Sequence, residues 1–206
     1  MTPVKAIALA VLGFALALAV LPAPGLDAAD AFRDGMRAHL DKRYAESRRV
    51  FSGLAAAGNA RAQFMMGTIF EQGLGVEKDL SAAARWYEKA GQNGNASAQY
   101  NLGIFYQFGK GVPKDERTAA SWLLKAAAQG HGRAQNNLST FYFTGIGVDR
   151  DLAEAWKWLT LSADRLKGKA REIALQNRTV IEREMTPDLI AQAKKRTQDW
   201  RGSKSR

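Results

Sequence analysis

The sequence has no cysteine, only two histidines and only five prolines in 206 residues. Without cysteine there are no disulfides, no Fe–S cluster, no thiolate zinc site and no thiol nucleophile. His39 and His131 are too few for a histidine-rich metal site, and any Ser-His-Asp triad would have to use one of them. No metal and no cofactor is expected. The scarcity of proline and the interspersed charges argue against a disordered chain. An apolar share of 46% is enough for one core. Basic residues exceed acidic ones, 30 to 20, giving a formal charge of +10, which by itself names no partner.

The first residues depart from the rest. After Lys5, Ala6–Leu21 runs without a charged or polar side chain, and Pro22, Pro24 and Gly25 end it. Small residues follow, of which Ala29-Asp30-Ala31 best fits a small-x-small cleavage pattern. This order is that of a secretory signal peptide, and the run is shorter than the ~18–20 residues of a bilayer span. Residues 1–29 are therefore expected to be a cleaved signal, with an uncleaved anchor as the alternative. The expected location is periplasmic or secreted, or, if anchored, at the inner membrane facing the periplasm.

What fills the remainder is a repeat of thirty-six residues. Gly73, Gly109 and Gly145 fall in register, as do Gly75, Gly111 and Gly147, Asp79, Asp115 and Asp151, and Trp86, Trp122 and Trp158. The same shift aligns Gln63, Gln99 and Gln135, and Phe70, Tyr106 and Tyr142. Within one unit, Ala98, Leu102, Phe105 and Tyr106 recur at helical spacing. Gly109 is placed to stop that helix in the left-handed conformation, and Asp115 to cap a second helix carrying Ala119, Trp122, Leu123 and Ala126 inward. One hairpin cannot bury its apolar face alone, so neighbouring hairpins must stack. The spacing predicts an all-α solenoid of antiparallel helix hairpins.

The stretch Ala98-Gln99-Tyr100-Asn101-Leu102-Gly103, Tyr106, Gly109-Lys110-Gly111-Val112-Pro113-Lys114-Asp115, Ala119, Trp122, Lys125-Ala126-Ala127 and Gly130 resembles a Sel-one-like repeat (SLR), a relative of the tetratricopeptide repeat. Three units are visible, at 60–95, 96–131 and 132–167. Residues 30–59 read as a degenerate first hairpin, with Asp41 and Lys42 in a short turn. Residues 168–206 read as two capping helices and a basic tail, Thr186-Pro187 marking a helix start.

The Gly-x-Gly loops are not phosphate loops, because no strand precedes them and they recur at a fixed period. His39 and His131 read as solvated turn residues. The periodic tryptophans read as core, whereas Trp156, two positions before Trp158, is a contact residue or ordinary surface packing. The resemblance implies that first helices line a concave surface. Carried over, its binding positions are Phe64, Thr68 and Glu71, then Tyr100, Ile104 and Gln107, then Asn136, Thr140 and Phe143, each triplet on one helix face.

Residues 166–206 hold eleven basic and five acidic side chains, with a basic patch of Lys194, Lys195, Arg196 and Arg201. It is either solvated surface or a contact for an anionic envelope surface or an acidic partner. Nucleic acid is not expected of an exported chain. The resemblance implies a non-catalytic scaffold binding a protein or peptide at the cell envelope. The alternative is an envelope-acting enzyme or a cell-wall-binding protein, although no catalytic constellation accompanies the two histidines.

Overall fold

The structure, a computed structural model, describes residues 27–204. Ten helices succeed one another: α1 (Ala28–Leu40), α2 (Tyr44–Ala56), α3 (Ala60–Gln72), α4 (Leu80–Gln92), α5 (Ala96–Phe108), α6 (Glu116–Ala128), α7 (Gly132–Thr144), α8 (Leu152–Arg165), α9 (Gly168–Glu182) and α10 (Pro187–Lys204). No strand occurs among the described residues. Helices α1 to α8 form four hairpins, and the second helix of each packs on the first helix of the next. This is the expected all-α solenoid. The expected leader falls almost wholly outside the described residues. Its last three residues, 27–29, already belong to the start of α1, where the Asp27 side chain accepts from the Ala29 N–H.

The helices begin and end where the period dictates. Asp79, Asp115 and Asp151 are extended and cap α4, α6 and α8 by accepting first-turn N–H groups at 2.8–3.0 Å. Gly73, Gly109 and Gly145 end α3, α5 and α7 at φ 66–75°. Each loop is then closed by the same backbone bond, from the capping aspartate N–H to the carbonyl of Phe70, Tyr106 or Tyr142. The first hairpin lacks this loop. Its turn spans residues 41–43, with Lys42 at φ 60°.

The second glycine of each loop sets the stacking distance. A Cβ on Gly111 would lie 2.3 Å from the Leu80 carbonyl carbon, and one on Gly147 2.3 Å from the Glu116 oxygen. The loop of one unit therefore rests on the first turn of the preceding unit's second helix, backbone against backbone. Gly103 gives the same closeness within a hairpin, where a Cβ would meet Leu123 at 2.8 Å. Trp122 reaches back onto Gly91 of the previous unit, and Trp158 is buried among Leu138, Phe141 and Leu161. Trp86 is only half-buried against the first hairpin.

The C-terminal helices break the pattern. Helices α9 and α10 both pack on α8. Thr186 caps α10 as expected, its Oγ1 accepting from the Leu189 N–H. Trp156 corrects the sequence expectation. It is 6% exposed, its indole N–H donates to Glu182 at 2.6 Å, and Arg178 lies over its ring. The face of α8 that points away from the regular stack is covered by α9, so Trp156 is a packing residue and is not available as a contact. Glu182, its acceptor, is itself half-buried. On another side Trp200 of α10 meets Trp158 edge-on at 5.0 Å.

Candidate functional site

The first helices α3, α5 and α7 carry the nine positions expected to bind. All nine retain solvent exposure, while the periodic residues beside them are buried. Helical spacing alone separates the two sets: Ala98, Leu102 and Phe105 face the core, and Tyr100, Ile104 and Gln107 are rotated out of it.

The structure brings some of the nine together. Phe64 and Tyr100 share a cavity of about 390 Å3 with Asn101, His131, Arg133 and Leu166. Thr140 and Phe143 line a second, of about 210 Å3, with Asn177 and Val180 of α9. Gln107 Oε1 and Asn136 Oδ1 are buried without a hydrogen-bond partner among the described residues. Thr68 and Glu71 are already engaged. The Tyr87 hydroxyl donates to Glu71 at 2.5 Å and lies 3.4 Å from Thr68 Oγ1, which itself donates to the Phe64 carbonyl. Burial, reinforced by the Glu71 hydrogen bond, pushes the Tyr87 phenol far above its ordinary range. The aromatic ring of Phe64 then lies 5.7 Å from that of Tyr87.

His131 is a site residue that sequence reasoning missed. It is half-buried and is not a solvated turn residue. Its Nδ1 accepts from the Ala134 N–H at 3.2 Å, capping α7, and its ring stacks on Tyr100 at 4.8 Å. Burial lowers its pKa, and Arg133 lowers it further. The signal was present in the period, because Asn59 and Asn95 occupy the same position and cap α3 and α5. His39 is also half-buried, packed edge-on against Tyr44, with Nδ1 buried and unpaired among the described residues.

The basic patch divides in two. Lys194 and Lys195 are exposed on α10. Arg196 instead bonds Asp151 at 2.7 Å and reaches Glu154 at 3.4 Å, and Arg201 pairs with Asp164. Burial would raise the Asp151 pKa, but the Arg196 and backbone hydrogen bonds outweigh it and hold the carboxyl below its ordinary value. Two of the four cations thus fasten α10 to α8. Among the described residues no group of three or more acidic or histidine side chains is placed to hold a metal.

No curated protein sequence matches the chain. A Sel1 repeat protein from Oxalobacter formigenes is 33% identical with a TM-score of 0.62, over 67% of this chain and 57% of that one. A protective antigen present in uropathogenic Escherichia coli strains, displaying an SLR fold, is 26% identical with a TM-score of 0.57, over 84% of this chain and 45% of that one. The chain thus spans about half the length of these two solved relatives. The Sel1 repeat profile matches residues 60–95, 96–131 and 132–165, and with more than half of its length so accounted for, the chain belongs to the Sel1 repeat family.

Proposed function

We infer that the chain is an exported, non-catalytic scaffold that holds a peptide segment of a protein partner along the groove of α3, α5 and α7. Sel1 repeat proteins generally mediate protein–protein interaction and typically work without catalysis. The observation that carries the finer reading is the cavity of about 390 Å3 in which Phe64 of α3 and Tyr100 of α5 meet His131 and Arg133 at the start of α7. Phe64, Tyr100 and Phe143 then supply apolar and aromatic contact for side chains. Rigid stacked hairpins keep the ordering cost of binding on the peptide.

Export rests on the composition of residues 1–29, and the envelope location follows from it. Exposed Lys194 and Lys195 would favour an anionic surface at that end of the solenoid. The groove is tested by pull-down from envelope extract with the natural chain and with a Tyr100→Ala, Ile104→Ala double variant. The variant is expected to lose a specific partner, and equal recovery of every protein would refute the groove. Mass spectrometry of the mature amino terminus tests export, for which intact Met1 in a soluble fraction is the contrary result.

A further inference from the structure

Buried glutamines join the hairpins at three equivalent places, and the third join is open. Gln63 donates through Nε2 to the Ala55 carbonyl, and its Oε1 accepts from Asn93 Nδ2 at 2.9 Å. Gln99 donates to the Gly91 carbonyl and accepts from Gln129 Nε2 at 2.7 Å. Gln135 makes the first bond, to the Ala127 carbonyl at 3.1 Å, but its Oε1 is buried and has no partner among the described residues. The donors to Gln63 and Gln99 stand thirty residues downstream, and at that distance from Gln135 stands Arg165. Helix α8 runs one residue longer than α4 and α6. It carries the Arg165 guanidinium beside Gly130, within 3.4 Å of where a Cβ there would stand.

A cavity of about 610 Å3 occupies the open join, between the end of α6, the start of α7, the end of α8 and α10. Gln135 lies in its wall, 2% exposed. Leu161 and Trp200 give it apolar surface, and Arg165, Arg201 and Asp164 surround it with charge. Arg201 is held by Asp164 at 2.5 Å. Arg165 has no ion-pair partner among the described residues. The cavity thus offers one unmet acceptor, one unpaired guanidinium and an apolar wall. The Asp164 carboxylate offsets one of the two cations, which suits a ligand with a single negative charge better than a phosphate.

We propose that this cavity is a second ligand site, distinct from the groove of α3, α5 and α7, that takes the free carboxyl end of a peptide or an acylated amino acid. The amide N–H donates to Gln135 Oε1, the carboxylate meets Arg165, and the terminal side chain lies against Leu161 and Trp200. An N–H donor next to a carboxylate is the arrangement at every peptide C-terminus, and guanidinium–carboxylate pairing is among the stronger hydrogen-bonded contacts.

The test adds N-acetyl-alanyl-alanine to the isotopically labelled full chain and follows the Trp200 indole and Gln135 side-chain amide resonances. Saturable shifts of both are expected. The C-terminal amide of the same dipeptide, and sodium acetate, which lacks the N–H, should each bind about tenfold more weakly or worse. Arg165→Gln supplies the carboxamide that Gln129 supplies to Gln99, so it should close the join and weaken dipeptide binding about tenfold or more while keeping the chain folded. Arg165→Lys, which keeps the charge, should weaken binding less. Undiminished binding by Arg165→Gln, equal binding of the dipeptide amide, or no saturable shift with any probe would each overturn the proposal. Arg133→Ala, which alters the α3–α5–α7 groove, should leave dipeptide binding unchanged, so failure of the groove and failure of this site are told apart.

Discussion

Between the middle repeats, contact runs through Gly111, whose missing side chain lets its loop rest on the backbone of Leu80. Between α8 and α10 it runs through Trp200 set edge-on to Trp158, and through Arg196 placed between Asp151 and Glu154. Lys157 completes the second interface. It is 7% exposed, bonds Glu154 at 2.6 Å and lies over both indole rings. The first kind of joint is a backbone contact that admits one residue type; it recurs at Gly147, while at Gly75 the nearest atom is the Tyr44 Cβ at 2.8 Å. The second is a set of side-chain pairs, each chosen for its own neighbours and used once. In a solenoid, stability is close to a sum over units and their interfaces. An interior joint therefore affects units on both sides, whereas a terminal joint mainly decides whether the end frays.

The sharpest way to break this contrast is Gly111→Ala. The residue sits at φ +67° and a Cβ would fall 2.3 Å from backbone, so we expect a loss of about 2–4 kcal/mol in urea unfolding. Gly58→Ala is the control. Gly58 has φ +85° but nothing within 4 Å of a Cβ, and should cost only about 1 kcal/mol. Equal costs would mean that the close approach between units contributes nothing. Trp200→Ala should cost about 2 kcal/mol, less than a fully buried tryptophan, because the ring is half-buried. Hydrogen exchange should then show α10 losing protection while α3 to α6 keep theirs, and uniform loss across all helices would contradict a separable end.

The smallest effect concerns the α7 cap. Folding lowers the His131 pKa, so the unfolded chain takes up this proton first as pH falls. The stabilisation carried by neutral His131 is complete above the ordinary histidine value, declines below it and levels off beneath the lowered folded value. Besides Arg133, the groups lining the cavity with His131 are Phe64 of α3, Ser97, Tyr100 and Asn101 of α5 and Leu166 at the end of α8, and among the described residues no carboxylate lines it. His131→Asn places at α7 the cap used by α3 and α5, and should flatten the urea midpoint between pH 8 and 5. A slope unchanged by the substitution would remove His131 as its source.

Most of the regular part was legible because its constraints are local or strictly periodic. Left-handed glycines, aspartate caps and the helical spacing of Ala98, Leu102 and Phe105 each depend on the chain's own backbone, and the structure places them as the spacing requires. The nine positions expected to bind came from the family resemblance, and helical spacing added only that each triplet shares one helix face. That Phe64 and Tyr100 share one cavity with His131 depends on how three helices stack. His131 could have been read from its register with Asn59 and Asn95, but imidazole is an uncommon cap and nothing local marks it as one. Trp156 was misplaced because its exposure was argued from one face of α8, and helices cover that helix on both sides.

By itself, the sequence determined the repeat, the hairpin boundaries and the family, since glycine and a capping side chain act within a few residues of where they stand. Only the tertiary structure decided which charges of the basic end are spent on Asp151, Glu154 and Asp164, and which carboxamide oxygens are left unmet. Pairing and burial arise between helices distant in sequence, and the pattern of one chain segment carries no record of what will be packed against it.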